Sequence, residues 1–144
     1  MMDNATNQKL TILSIAEELS PKLLSESELQ TRVKEVLLAD DALKALEILD
    51  NRGNDIDLIL IDVFLSPEIA GRQVDGFHLA AFIKEKGFKA AIVMLSNVDI
   101  TLLKKTQEKY KSVIDAFYRK PLTTQELTGL IKRHALKKRN TDKA

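Results

Sequence analysis

Asp57-Leu58-Ile59-Leu60-Ile61-Asp62 is the stretch that most narrows what this chain can become. Four branched apolar residues stand between two aspartates. The run is entered through Asn51-Arg52-Gly53-Asn54-Asp55 and left toward Ser66-Pro67. An apolar run of this length without polar alternation reads as a strand covered on both faces, as in a parallel sheet. Open α/β sheets form their ligand crevice outside the carboxyl ends of the strands, which puts Asp62 at that crevice. The same aspartate would also serve as a plain turn cap, and position alone leaves the two readings open.

Four further runs have the same character: Leu10–Ala16, Arg32–Leu38, Ala90–Leu95 and Ile114–Arg119. Helical patterns separate them. Ser20-Pro21 reads as a helix start, with Leu23, Leu24 and Leu29 facing inward. Asp40 or Asp41 caps a helix with Leu43, Leu46 and Leu49 at helical spacing. Asp75-Gly76 opens one with Phe77, Ala80 and Ile83 on a stripe, Leu79 and Phe82 beside it, and Gly87 at its close. A polar helix runs from about Ile100 to Tyr110, with Leu102, Leu103 and Val113 as its nearest apolar anchors. Thr123 and Glu126 form a capping box ahead of inward Leu127, Leu130 and Ile131. Five strands alternating with five helices predict a single doubly wound parallel sheet.

With 144 residues the chain suits one domain, predicted over residues 10–136 with loose tails at 1–9 and 137–144. The absence of cysteine excludes disulfides and thiol chemistry. Twenty-two basic against 21 acidic residues leave a net charge of +1, so nucleic acid is not an expected partner. No apolar run approaches the roughly 20 residues that span a bilayer, and Met1–Lys9 lacks an apolar signal core. A cytoplasmic protein without membrane contact is the expectation.

Placing the strand ends on one rim collects Glu17, Glu18, Asp62, Ser96 and Lys120. Converging carboxylates repel, and a hard divalent cation relieves that; Mg²⁺ suits a site that must keep positions open for phosphate oxygens. A lysine can bind a phosphoryl group as a point charge, and a serine hydroxyl can donate to it. Phosphoryl transfer asks little more than this placement. The rim therefore suits phosphorylation of an aspartate, with Asp62 as nucleophile. Each residue also has a plain reading: Glu17-Glu18 as an acidic first helical turn, Lys120 as a surface lysine, Ser96 as an ordinary strand-end serine. His78 and His134 are expected to be solvated.

Taken together, Asp57–Asp62, Asp75-Gly76-Phe77-His78-Leu79, the run ending in Ser96, Phe117-Tyr118-Arg119-Lys120-Pro121 and Ala39-x-x-Ala42-x-Lys44-Ala45-Leu46 resemble the receiver domains of bacterial two-component response regulators. The resemblance covers Leu10 to His134. It implies the flavodoxin-like fold with strand order 2-1-3-4-5. It implies Asp62 as phosphoacceptor, Mg²⁺ held by Glu17, Glu18, Asp62 and the Phe64 carbonyl, Ser96 as switch hydroxyl, Lys120 as ion-pairing base and Phe117 as rotameric aromatic. A histidine kinase or histidine phosphotransfer protein would supply the phosphoryl group. A separate target would dock on the face of the fourth helix, fifth strand and fifth helix. Such a protein is a switch rather than a turnover enzyme, here without an output domain of its own.

The chain also departs from that pattern. The acidic pair is normally two aspartates, and Ala16-Glu17 is the other register; Glu18 stands 44 positions before Asp62, the usual interval, which favours Glu17-Glu18. Extra residues fill 64–74, Phe64 brings apolar bulk beside Asp62, and Asn97 replaces a small residue after Ser96. A pseudo-receiver that binds partners without cycling phosphate is the alternative. An aspartate-nucleophile phosphohydrolase fits less well, because Phe64 occupies the place of its second aspartate. A flavin domain lacks its phosphate loop after the first run. Oligomeric state is not readable from the residues.

Overall fold

A computed structural model of the chain describes residues 9–16, 25, 27–63, 75–97 and 104–135. Its elements are β1 (Leu10–Ile15), α1 (Ser27–Arg32), β2 (Val33–Ala39), α2 (Ala42–Arg52), β3 (Leu58–Asp62), α3 (Gly76–Glu85), β4 (Ala91–Ser96), α4 (Lys104–Lys109), β5 (Ala116–Arg119) and α5 (Thr124–Leu130). A 3₁₀ turn, Gly53–Asp55, follows α2, and a π turn, Ile131–Ala135, extends α5. All strand pairs are parallel, in the order β2-β1-β3-β4-β5. The predicted fold class and strand order hold.

The apolar run forms the central strand and is covered on both faces. Leu58 and Leu60 join Leu10, Ile12, Leu127, Leu130 and Ile131 on one side. Ile59 and Ile61 join Leu49, Phe77, Ile83 and Met94 on the other. Leu58 to Ile61 are fully buried, and each such side chain contributes roughly 1.5–3 kcal/mol against exposure, an upper range. The ladder with β4 pairs Leu58 with Ala91 and ends at Asp62 beside Leu95, so register fixes the aspartate at the rim.

Local signals place the helices. Asp41 is the cap of α2, accepting the Lys44 N–H at 2.9 Å; Asp75 caps α3, accepting the His78 N–H at 2.8 Å. Thr123 and Glu126 form the reciprocal capping box of α5. Gly87, with φ of 91°, follows the end of α3 in a conformation other residues rarely take. At the far end of α2, Arg52 pairs with Glu35 of the edge strand β2. The Arg52 guanidinium, hydrogen-bonded to Glu35, holds that carboxyl below its usual range. A lowered carboxyl pKa contributes stability above the unfolded value and loses it as pH falls through the folded one. Because the pair is solvent-exposed, its contribution is small.

Several boundaries and faces differ from expectation. Arg32 ends α1 rather than opening β2, and β5 starts at Ala116 rather than Ile114. Leu43 is 56% exposed, because Ala42, Ala45 and Leu49 are the residues α2 turns to the sheet. Phe77, Ala80 and Ile83 are buried as read, and of the two residues read beside that stripe Leu79 is buried while Phe82 is 41% exposed. His134 is half-buried instead of solvated; His78 is exposed. The described helix α4 buries none of its own residues, in keeping with its polar reading. The expected helix start at Ser20-Pro21, Leu23, Leu24, Leu102, Leu103, the 64–74 insertion and both tails, apart from Lys9, fall outside the described residues.

Two aspartates close the lower rim, where strands begin. The nearly buried Asp57 carboxylate accepts the Thr11 N–H at 2.9 Å, its N–H donates to the Thr11 carbonyl, and its carbonyl accepts from Ala91, stitching three strands together. Asp115 repeats the device on β4: its carboxylate accepts the Ile92 N–H at 2.8 Å while its own N–H donates to the Ile92 carbonyl. Both satisfy ladder-end groups that would otherwise be costly to bury. On the upper rim Gly76 brings α3 against β3. Its N–H donates to the Val63 carbonyl at 2.7 Å, and a Cβ there would lie 2.3 Å from the Asp62 carbonyl oxygen.

Two outcomes follow from these contacts. Asp57→Ala leaves the Thr11 N–H without its buried acceptor and lowers unfolding free energy in urea titration by about 1–3 kcal/mol; an unchanged midpoint contradicts the stitching role. Gly76→Ala, whose Cβ meets main chain that cannot move aside, costs about 1–3 kcal/mol in the same titration.

Candidate functional site

The upper rim is assembled from strand ends that sequence distance keeps far apart. Asp62 closes β3, Ser96 closes β4, and Lys120 follows β5 directly. Because neighbouring strands are in parallel register, all three emerge on the same edge. Ser96 is one position beyond Leu95, the partner of Asp62, and is paired with Arg119. The Lys120 N–H donates to the Ser96 carbonyl at 2.8 Å, and the Val63 N–H donates to the Leu95 carbonyl at 2.9 Å. These bonds carry the ladder past the formal strand ends and hold the rim in place. The Lys120–Pro121 peptide bond is cis.

At the rim the Lys120 ammonium donates to a carboxylate oxygen of Asp62. The two side chains are 12% and 15% exposed, so the pair is largely withdrawn from water. Removing either partner from such a pair strands a poorly hydrated charge, which costs far more than loss of a surface ion pair. The predicted convergence of these two residues is therefore present as a direct contact. Ser96 is fully buried on the intervening strand.

Glu17, Glu18 and Phe64, expected to help hold Mg²⁺, lie outside the described residues, and among the described residues no group of three acidic or histidine side chains gathers around a metal position. The backbone leading to Glu17 is described. Ile15 pairs with Ile61, so Ala16 comes level with Asp62, and Ala16 has φ of 59°. That left-handed conformation is unfavourable for alanine and marks an over-determined turn where the chain leaves β1. The Ala16 N–H donates to the Ala39 carbonyl at 2.8 Å, which pins that turn to β2.

Phe117 was singled out in the sequence; its surroundings were not. It is half-buried on β5, opposite Met94, with its ring centroid 5.7 Å from Phe77 of α3. Phe77 in turn lies 5.3 Å from Tyr110, just past α4, and His78 meets the Tyr110 ring edge-on at 6.3 Å. Tilted arrangements at these separations are the favoured ones for aromatic pairs. The cluster runs from β5 to the exposed side of α3 and α4. Sequence reading placed Phe77 in the core but had no means of joining it to Tyr110 and Phe117, which are far away along the chain. Gly76 had a partial signal, since it was read only as a helix opening.

Neither a protein-family model nor a curated protein matches the chain. Solved structures do. A response regulator receiver domain protein from Clostridium thermocellum superposes with a TM-score of 0.69 at 24% identity, covering 92% of this chain and 98% of that one. The receiver domain of NtrX from Brucella abortus gives 0.65 at 25% identity, covering 88% and 98%. A longer NtrX chain from the same organism gives 0.71 at 21% identity; 94% of this chain is covered, but it spans only 29% of that NtrX chain. No described helix is long and apolar enough to cross a membrane. The architecture of this chain is therefore that of a response regulator receiver domain.

Proposed function

We propose that this chain is the receiver switch of a two-component phosphorelay. Asp62 takes a phosphoryl group from a phosphohistidine on a histidine kinase or a histidine phosphotransfer protein. The nitrogen–phosphorus bond breaks as an Asp62 oxygen forms the new phosphorus–oxygen bond, leaving histidine and an aspartyl phosphate. The observation that carries this reading is the Asp62–Lys120 pair at the carboxyl edge of a receiver-type sheet. A lysine already in contact with the attacking carboxylate is placed to meet the charge that develops on the phosphoryl oxygens.

Mg²⁺ suits this reading, because the donors proposed for it, the side chains of Asp62, Glu17 and Glu18 and the Phe64 carbonyl, are hard oxygens. When bound, it would neutralise charge between the carboxylates and the incoming phosphate. The residues of the chain orient and then read the product. Phosphorylation adds about −1.5 to −2 charge and new acceptor oxygens beside Lys120. Ser96 is the hydroxyl proposed to turn toward those oxygens. Phe117 follows it, and its contact with Phe77, which in turn packs on Tyr110, is the one that must change. The surface of α4, β5 and α5 then shifts population toward the form a separate target binds. In this reading the chain is a switch, working in the cytoplasm, and not a turnover enzyme.

Incubated with Mg²⁺ and acetyl phosphate or phosphoramidate, the chain gains the mass of one labile phosphoryl group. Asp62→Ala gains none, and chelation of Mg²⁺ abolishes the gain. Lys120→Ala slows the reaction by about 10²-fold or more, the usual effect of removing one charge-stabilising donor. Intact-mass spectrometry reads all four. A folded wild-type chain that never gains the mass contradicts the switch and favours the pseudo-receiver.

A further inference from the structure

The helix layer formed by α2 and α3 carries a surface that nothing else in the described chain covers. Both helices belong to the same core cluster on one side of the sheet, α2 packed on β2 and β1 and α3 on β3 and β4, so they are neighbours. Each connects parallel strands, so the two run in the same direction from the upper rim. A cleft of about 360 Å³ lined by Asp50, Arg52, Gly53 and Phe88 marks where the end of α2 meets the residues after α3.

Their outer stripes differ in sign. On α2, Leu43, Glu47 and Asp50 recur at helical spacing and all are exposed. On α3 and its C-cap, His78, Phe82 and Lys86 do the same. Leu43 at 56% and Phe82 at 41% are two of the three large apolar residues left exposed among the described residues. Residues 40–55 hold five acidic against two basic side chains, while residues 76–89 hold three lysines against one glutamate. The Lys86 ammonium lies 5.2 Å from the Phe82 ring centroid, and neither Lys86 nor Asp50 has an ion-pair partner among the described residues. Each stripe therefore offers one large apolar side chain with charge beside it, of opposite sign on the two helices.

We propose that this face binds a second copy of the chain, α2 of each copy lying on α3 of the other around a two-fold axis parallel to the helices. Rotation about such an axis exchanges the two stripes while keeping the helices parallel, so both descend from their upper-rim ends in step. Leu43 then lies near the His78 end of the partner stripe, Glu47 near Phe82, and Asp50 near Lys86. Each charge pair is made twice, which is the reciprocity that a closed two-fold contact requires. An acidic stripe against a basic one is electrostatic complementarity within one sequence, which a net charge of +1 conceals. Two helices of about ten residues each form a patch at the small end of specific interfaces, so the association is weak. The proposal stands apart from the phosphoacceptor reading, since it uses no residue of the upper rim.

Sedimentation equilibrium of the full 144-residue chain tests it, over a concentration series reaching about 1 mM and at low and high salt. The mass moves from 16.2 kDa toward twice that value as concentration rises, and back toward the monomer in high salt. Asp50→Lys and Lys86→Glu, both at exposed positions, each lose the association while keeping the wild-type circular dichroism. Mixed one to one, the two variants regain it, because each then supplies what the other lacks at both copies of the contact. A monomer at every concentration overturns the proposal and leaves the face to another occupant. So does a dimer indifferent to the two reversals, a mixture that stays monomeric, or assembly beyond the dimer.

Discussion

The contact between Asp62 and Lys120 depends on nearly everything else in the molecule being where it is. One residue ends β3 and the other follows β5, with β4 between them, so the pair forms only if two strand registers are correct at once. A slip of one residue in either would turn every side chain of that strand to the opposite face. Burial of Leu58 to Ile61 on both faces makes such a slip expensive, and the hydrogen bond from the Lys120 N–H to the Ser96 carbonyl carries the register out to the lysine itself. A nearly dry ion pair at the mouth of the sheet is thus a consequence of the core, not a substitute for it.

The two rims use the same residue type for opposite ends. Asp57 and Asp115, where strands begin, spend their carboxylates on main-chain N–H groups of neighbouring strands. Asp62, where a strand ends, meets a lysine and stays partly open to solvent. A carboxylate saturated by backbone donors is a structural fastener. One that meets a lysine ammonium at a crevice is placed where an incoming group can reach it. The glycine at position 76 belongs to this contrast, since it lets α3 close on the Asp62 carbonyl from the side while leaving the carboxylate at the mouth.

Much of this was legible in the residues, for identifiable reasons. The central strand announced itself because a strand buried on both faces needs an unbroken apolar run. The caps at Asp41, Asp75 and Thr123 were legible because capping is a local hydrogen bond between residues three apart. Leu43 was assigned to the core by its spacing with Leu46 and Leu49. The helix instead turns Ala42 and Ala45 to the sheet, where small side chains permit close packing and carry little hydrophobic signal. Of the two residues read beside the α3 stripe, spacing alone did not tell that Leu79 turns inward and Phe82 outward. The cluster of Phe77, Tyr110 and Phe117 and the close approach at Gly76 had no local signature, because both are distances between elements distant in sequence. The two stripes of the α2–α3 face were not read from the residues, because their adjacency needed the fold.

The central claim is that Asp62, and no other carboxylate of the chain, is the phosphoryl acceptor. Borohydride reduces an aspartyl phosphate to homoserine, which records the position of the acyl phosphate permanently. After exposure to a phosphoryl donor with Mg²⁺ and borohydride reduction, peptide sequencing by mass spectrometry is expected to find homoserine at position 62 alone. Homoserine at position 57 or at another aspartate, or a reduced glutamate at position 17 or 18, would contradict the account.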